Sequence, residues 1–201
     1  MAGGVGPLEP PTPQLVDGDI RLRPWKVEDV EAFRVACEDP EVPRWTGFPF
    51  HLTHEAARRL IDERIASFRT GTSAAFAVVD AATDRLLGSV SLLWIDWDSS
   101  VAQGAYWLVR EARGRGVATR SLRLLTDWAL TELGLAQVEL TADVRNHKSH
   151  LVAERAGFRR QWLRQAYREV HGERINEFVF AANDGSWSPS SSATTPAQRR
   201  S

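Results

Sequence analysis

The sequence predicts a mixed α/β fold, a sheet carrying both parallel and antiparallel strands with helices on its faces, and three observations carry that prediction. Segments with apolar residues at alternate positions interchange with segments of helical spacing, in the order βααβββαβαββ. The chain has 201 residues, 43% hydrophobic and 25% charged, enough to bury one sizeable core without disulfides or metals. A glycine-containing turn at 110–116 joins a strand directly to a long helix, as a crossover between strands requires.

Element by element, Ile20, Leu22 and Pro24 mark a short first strand. Val27, Val30, Phe33 and Cys37 fall at helical spacing and predict a helix that ends before Pro40. From Pro40 to Leu52, Pro43, Gly47 and Pro49 predict a loop that carries the aromatics Trp45, Phe48 and Phe50. Thr53 can N-cap a second helix with the stripe Ala57, Leu60, Ile61, Ile65 and Phe68, closed by Gly71. Ala74–Val79 and Leu86–Trp94 read as a strand pair joined through the turn residues Asp80 to Asp84, and Val101–Val109 as a third strand. A helix over Val117–Leu133 follows, stopped by Gly134. Then come a strand at Val138–Asp143, a short helix from about Lys148 to Arg155, a strand starting near Phe158 and a last strand over Ile175–Ala181.

Both ends have compositions that cannot build a core. Residues 1–15 are rich in Pro and Gly, and 183–201 in Ser, Thr and Pro with one aromatic, Trp187, so both are predicted to be disordered tails around one domain at 16–182.

Composition excludes several classes of function. With 25 basic and 26 acidic side chains the net charge is −1, which argues against a nucleic-acid binder. A single cysteine, Cys37, forbids an internal disulfide and is too little for a zinc site; it lies on the apolar face of the first helix and reads as a core thiol. No apolar run spans a membrane and no signal-peptide core follows the N-terminus, so no membrane contact and a cytoplasmic location are expected. No metal is expected.

The stretch from Tyr106 to Arg120 carries the most chemistry. A strand runs into a loop with Gly114 and Gly116, which opens onto a helix. The first turn of a helix leaves N–H groups unpaired and carries partial positive charge; glycines admit close approach of an anion, and Arg113 and Arg115 add full charges. By itself Arg-Gly-Arg-Gly also fits a solvated turn, but its place between strand and helix favours a phosphate cradle. It is not a P-loop, which requires Gly-Lys, nor a Rossmann turn, because Thr119 stands where the third glycine belongs.

Here the sequence resembles the GCN5-related N-acetyltransferases (GNAT). Arg113-Gly114-Arg115-Gly116-Val117-Ala118 is similar to their acyl-CoA signature Q/R-x-x-G-x-G/A. Ile20-Arg-Leu-Arg-Pro24, Tyr106-Trp107-Leu108, Asn146-x-x-Ser149 and Ala153–Phe158 resemble the ribosomal-protein N-terminal acetyltransferase branch, the RimJ/RimL-like enzymes. The resemblance implies a twisted sheet of about six to seven strands with a splayed parallel pair, here 101–109 and 138–143, and about four flanking helices. It implies acetyl-CoA as the cofactor, with the pyrophosphate on Arg113, Gly114, Arg115, Gly116, Val117, Ala118 and Thr119. The pantetheine arm would lie along Leu108 and Arg110, with Asn146 nearby. A main-chain N–H near Leu108 would polarise the thioester carbonyl.

Transfer to an amine needs a donor for the departing thiolate and a way to remove a proton from the ammonium. Many relatives carry a Tyr where this chain has Ala153; Ser149 is the donor the resemblance offers instead, and Asn146 caps the helix, bonds the cofactor arm, or both. A Glu common on the strand before Tyr106 is replaced by Gln103. Glu169 lies one position from a Glu of the ribosomal branch and is the candidate base, with His171, Glu173, Asp96, Asp98 or a water chain as alternatives. Trp45, Phe48, Phe50 and Tyr167 either wall a slot for the acceptor or form a local mini-core.

Three functions remain on these grounds: acetyl transfer to a protein or peptide N-terminal amine, transfer to a small-molecule amine (amino sugar, polyamine or amino acid), or acyl-CoA binding without turnover. A homodimer and a monomer both occur in the family. Residues 110–168 hold twelve basic and six acidic side chains, so the near-neutral total conceals a basic segment suited to the phosphates of coenzyme A.

Overall fold

The computed structural model describes residues 6–183 and Gly185; Trp187 lies outside the described residues. Its strands are β1 (Leu15–Asp17), β2 (Ile20–Pro24), β3 (Ala74–Asp80), β4 (Leu86–Asp96), β5 (Val101–Leu108), β6 (Gln137–Asp143), β7 (Arg159–Val170) and β8 (Glu173–Asn183). The helices are α1 (Val30–Ala36), α2 (Glu41–Thr46), α3 (His54–Thr70), α4 (Val117–Thr131) and α5 (His147–Ala156). Among the described residues the strands form one sheet in the order β1-β2-β3-β4-β5-β6-β8-β7. Only β5 and β6 run parallel; the other neighbours are antiparallel. This is the mixed α/β fold the sequence predicts.

The middle of the sheet is buried on both faces. Along β3, Phe76 and Val78 join the core under α4 and α5, while Ala75, Ala77 and Val79 join the core under α1 and α3. That double burial explains why β3 reads as a continuous apolar run. On one face Phe76 meets Phe68 and Trp128 edge-on, with ring centroids 5.1 and 5.4 Å apart. On the other, Phe33 packs against Trp25 and Trp107 at 5.9 and 5.7 Å. Thr53 caps α3 as predicted, accepting from the Ala56 N–H at 3.1 Å, and Gly71 ends it in the left-handed region.

Several elements depart from the sequence reading. The segment predicted as a loop from Pro40 to Leu52 contains α2, whose six residues offer too few apolar positions to show a period. Val27–Asp29 is a separate 3-10 turn before α1, so the predicted first helix is two pieces. β1 adds a strand, pairing with β2. The last hairpin is longer than predicted, because β7 is a sheet edge of mostly polar residues with two register shifts and shows no clean alternation. Eight strands and five α-helices result among the described residues. Leu8 donates its N–H to the Phe68 carbonyl at 2.7 Å and packs on the core. Among the described residues no helix is long and apolar enough to cross a membrane.

Candidate active site

β5 and β6 begin as partners and then part. Their parallel pairing runs from Val101 opposite Gln137 to Gly104 opposite Leu140 and stops. Beyond it β5 continues along β4 to Leu108, while β6 stays with β8 as far as Asp143 opposite Glu177. A register shift in β4 between Leu92 and Trp94 lies opposite Gly104 and Gln103, where the pairing of β5 with β6 ends. Because the Val109 N–H donates to the Leu87 carbonyl at 3.0 Å, strand alternation turns Leu108 toward the edge that β6 has left.

On the α4–α5 side of this gap lies a cavity of about 580 Å³, bounded by Gly114, Gly116, Val117, Ala118 and Thr119. Gly114 and Gly116 have φ of 74° and 75°, and a Cβ built on either would meet no atom within 4 Å. No side chain caps the first turn of α4, so its N–H groups face an open cradle beside the positive end of the helix. Lys148 and Arg155 reach the same cavity from α5. Sequence reasoning missed both, although their seven-residue spacing with Leu151 and Val152 between them puts one helix face on view. These groups fit a ligand bearing a pyrophosphate.

Of the three arginines Arg110, Arg113 and Arg115, Arg113 borders this cavity as expected. Arg113 turns back to donate from Nε and Nη2 to the Leu108 carbonyl at 3.2 and 2.9 Å and pairs with Asp39 at 2.9 Å, bracing the loop against the end of β5. Arg115 lies 3.5 Å from Asp19, which Arg120 meets at 2.7 Å. Arg110 is not on a strand edge: β5 ends at Leu108, and Arg110 opens a 3-10 turn with an exposed side chain 3.4 Å from Asp39. Neither Arg110 nor Arg115 borders the cavity.

A second cavity, about 540 Å³, opens on the other face of the sheet between α2 and the β7–β8 hairpin. Both cavities are bounded by Trp45, Tyr106, Asn146 and Ser149, so they meet where the strands part. At that junction Asn146 caps α5, its Oδ1 accepting from the Ser149 N–H at 3.1 Å, and the Tyr106 hydroxyl donates to Ser149 Oγ at 3.0 Å. Burial pushes the Tyr106 phenol up to about 12, against the small opposing effect of its bond to Ser149. Tyr106 was visible in the sequence as part of a motif; its contact with Ser149 spans 43 residues and left no local signal.

Trp45 and Phe48 line the second cavity, as does Phe50. Tyr167 belongs to β7, and its side chain lies outside the described residues. Glu169 is not brought to the site: Arg168 and Val170 face the cavity, so strand alternation points the exposed Glu169 away. Buried Glu177 is there instead, accepting from Arg168 Nε and Nη2 at 3.1 and 2.8 Å, both on Oε1. Asp143 is also present, its carboxyl lowered by hydrogen bonds from Arg145 that outweigh its burial. Glu173 bonds Arg145, and His171 Nε2 lies 2.8 Å from the Pro43 carbonyl oxygen. Asp96 accepts from the N–H groups of Asp98 and Ser99 in a turn outside the cavity. Gln103 is buried, donating to the Gly104 and Glu139 carbonyls. Cys37 is fully buried, and burial pushes its thiol up to about 11.

The chain matches the acetyltransferase (GNAT) domain family over residues 19–159. It is 24% identical over 162 residues to the uncharacterized N-acetyltransferase p20 of Bacillus licheniformis, covering 81% of this chain and 91% of that one. Its fold is similar to that of RimL, a ribosomal α-N-protein acetyltransferase solved with coenzyme A: TM-score 0.77, 18% identity, 84% of this chain and 96% of that one. It is equally similar to the microcin C7 self-immunity acetyltransferase MccE solved with acetyl-CoA and AMP, with TM-score 0.77, 18% identity and coverage of 86% and 97%. With the cradle, the parted strands and this match together, the chain belongs to the GNAT family and is an acyltransferase whose acetyl donor is acetyl-CoA.

Proposed function

We propose that this enzyme acetylates the N-terminal amine of a protein or peptide. The observation that carries the reading is the meeting of two cavities, one on each face of the sheet, at Tyr106, Asn146 and Ser149. One cavity suits a phosphate-bearing donor and the other an acceptor, so the two need touch only at the reacting atoms. The exposed Leu93, Trp94 and Phe50 border the mouth of the acceptor cavity and give a continuing peptide an apolar rim to lie against. RimL, of the same fold, acts on a protein α-amine.

When bound, acetyl-CoA supplies an activated thioester. Gly114, Gly116 and the first turn of α4, with Lys148 and Arg155, would hold its phosphates. The Leu108 N–H, turned to the vacated edge, would be the donor for the thioester carbonyl oxygen of a bound acetyl-CoA. Ser149, fixed in position by Asn146 and Tyr106, would donate a hydrogen bond to the departing sulfur, which leaves as a thiolate and takes its proton from water. Asp143, Glu173 and Glu177 line the cavity that an ammonium enters, and its proton leaves through the open mouth to water.

Thiol release from acetyl-CoA, measured with a peptide pool and separately with a pool of polyamines, amino sugars and amino acids, tests this. Release driven by peptides supports it. Release driven by small amines alone reassigns the acceptor.

A further inference from the structure

The charges around the acceptor cavity pair off, with one exception. Arg44 has Glu41 at 3.5 Å, Arg145 has Asp143 at 2.6 Å, Arg164 has Glu139 at 3.3 Å and Arg168 has Glu177 at 2.8 Å. Arg64, on α3, lines the same cavity and has no carboxylate at salt-bridge distance among the described residues.

Arg64 is held from behind. Its guanidinium carbon lies 4.9 Å from the ring centroid of Phe33, 5.3 Å from Phe48 and 5.9 Å from Trp25. Nη1 donates to the Leu60 carbonyl at 2.8 Å. The aromatic faces orient the cation and offset part of its desolvation, but they cannot accept its in-plane N–H bonds. Burial draws its pKa below the ordinary arginine value, and the neighbouring charges do not make up the difference. A partly desolvated cation without a counter-ion is costly in a wall that serves packing alone. It is suited to a ligand that brings the missing anion, and a guanidinium fork matches a carboxylate in two parallel bonds.

We infer that the acceptor carries a carboxylate close to its reacting amine and that Arg64 determines specificity by receiving it. The inference rests on the proposed acetylation of an amine in this cavity. Two sources share that chemistry: an Asp or Glu side chain among the first residues of a peptide, or the α-carboxylate of a free amino acid.

The test compares acceptors that differ only in that group, using the full chain and acetyl-CoA. C-terminally amidated peptides beginning Ser-Asp and Ser-Asn form one arm; free amino acids and their α-amides form the other. The acid is expected to exceed its amide about ten-fold in kcat/KM, mostly through KM, and the arm showing the difference identifies the source. Arg64→Gln is expected to bring that ratio toward one, whatever its absolute rate, and Arg64→Lys to retain part of it. Equal kcat/KM for acid and amide in the unmodified enzyme, or the same ratio in Arg64→Gln, overturns the inference. If Arg64→Gln fails to fold, as judged by circular dichroism and thermal melting, a ratio unchanged in Arg64→Lys overturns it and a reduced ratio supports it.

If no acceptor yields thiol, the acetylation reading fails on its own, and calorimetry on the CoA-saturated protein decides this one. N-acetyl-Ser-Asp and N-acetyl-Ser-Asn amides are titrated there, alongside N-acetyl amino acids and their amides. Tighter binding of an acid, lost in Arg64→Gln, upholds the role of Arg64; equal affinities overturn it.

Discussion

Tyr106 donates its hydroxyl to Ser149 Oγ at 3.0 Å, joining β5 to α5 across the gap left by β6. With its pKa pushed to about 12 by burial, the phenol keeps its proton throughout the neutral range and has that proton to donate. Ser149 accepts this bond from Tyr106, which leaves its own hydrogen to turn toward the cavities. A serine held in this way is oriented as a donor rather than activated as a nucleophile.

Ser149→Ala should lower kcat about 100-fold and leave KM for acetyl-CoA within about three-fold, because a leaving-group donor acts in the transition state. Tyr106→Phe keeps the ring and removes the donor, and should cost about ten-fold in kcat through loss of orientation. Steady-state kinetics on both variants checks this. A Ser149→Ala enzyme with unchanged kcat would remove serine from the chemistry.

The cradle depends on backbone conformation. At φ of 75°, Gly116 occupies the left-handed region, where a side chain costs about 1–2 kcal/mol. The space above it is open, so a valine there would project into the cavity rather than into the protein core. Gly116→Val should leave circular dichroism near that of the parent and weaken acetyl-CoA binding more than 100-fold by calorimetry. An unchanged affinity would refute the phosphate assignment.

Local order made the cradle legible: strand, glycine turn and helix are contiguous from Val101 to Thr131. The same holds for the Asn146 cap, which acts three residues away. Contacts between distant segments were not legible. Arg113 borders the cradle cavity as expected, but nothing in 113–118 reveals its bonds to Leu108 and Asp39. Glu169 misled for a different reason: on a mostly polar edge strand with a register shift between Arg164 and Arg168, sequence position does not fix which face a side chain takes. α2 was hidden by its length and by Pro43 within it.

One ion cluster anchors β2. Arg23 makes two bonds to Asp29 at 2.8 Å, both residues being buried, and a third to Asp84. Removing one member leaves a buried charge, so Asp29→Ala should cost about 3 kcal/mol in chemical denaturation. Burial alone would raise the Asp84 carboxyl, but bonds from Arg23 and Lys26 outweigh it and bring its pKa down to about 2. A carboxylate lowered on folding stabilises above its unfolded pKa of about 4, and that contribution fades as pH falls toward the folded value. Thermal melts at pH 5 and pH 2.5 should therefore show a smaller acid loss for Asp84→Asn than for the parent. The difference should be under about 1 kcal/mol, since Asp84 is partly exposed.

Cys37 has no accessible surface, and its pKa is raised to about 11. A thiol reagent at pH 8 should label none of it in the native protein within minutes and one thiol per chain in guanidinium. Rapid native labelling would contradict its place in the core.

In the proposed reaction donor and acceptor enter from opposite faces of the sheet and meet where β5 and β6 part. Acetyl-CoA turnover with the peptide pool tests it most directly. Peptide-dependent thiol release that Gly116→Val abolishes through binding and Ser149→Ala reduces through kcat is the predicted result. Tight acetyl-CoA binding with no release in the presence of any amine would contradict it.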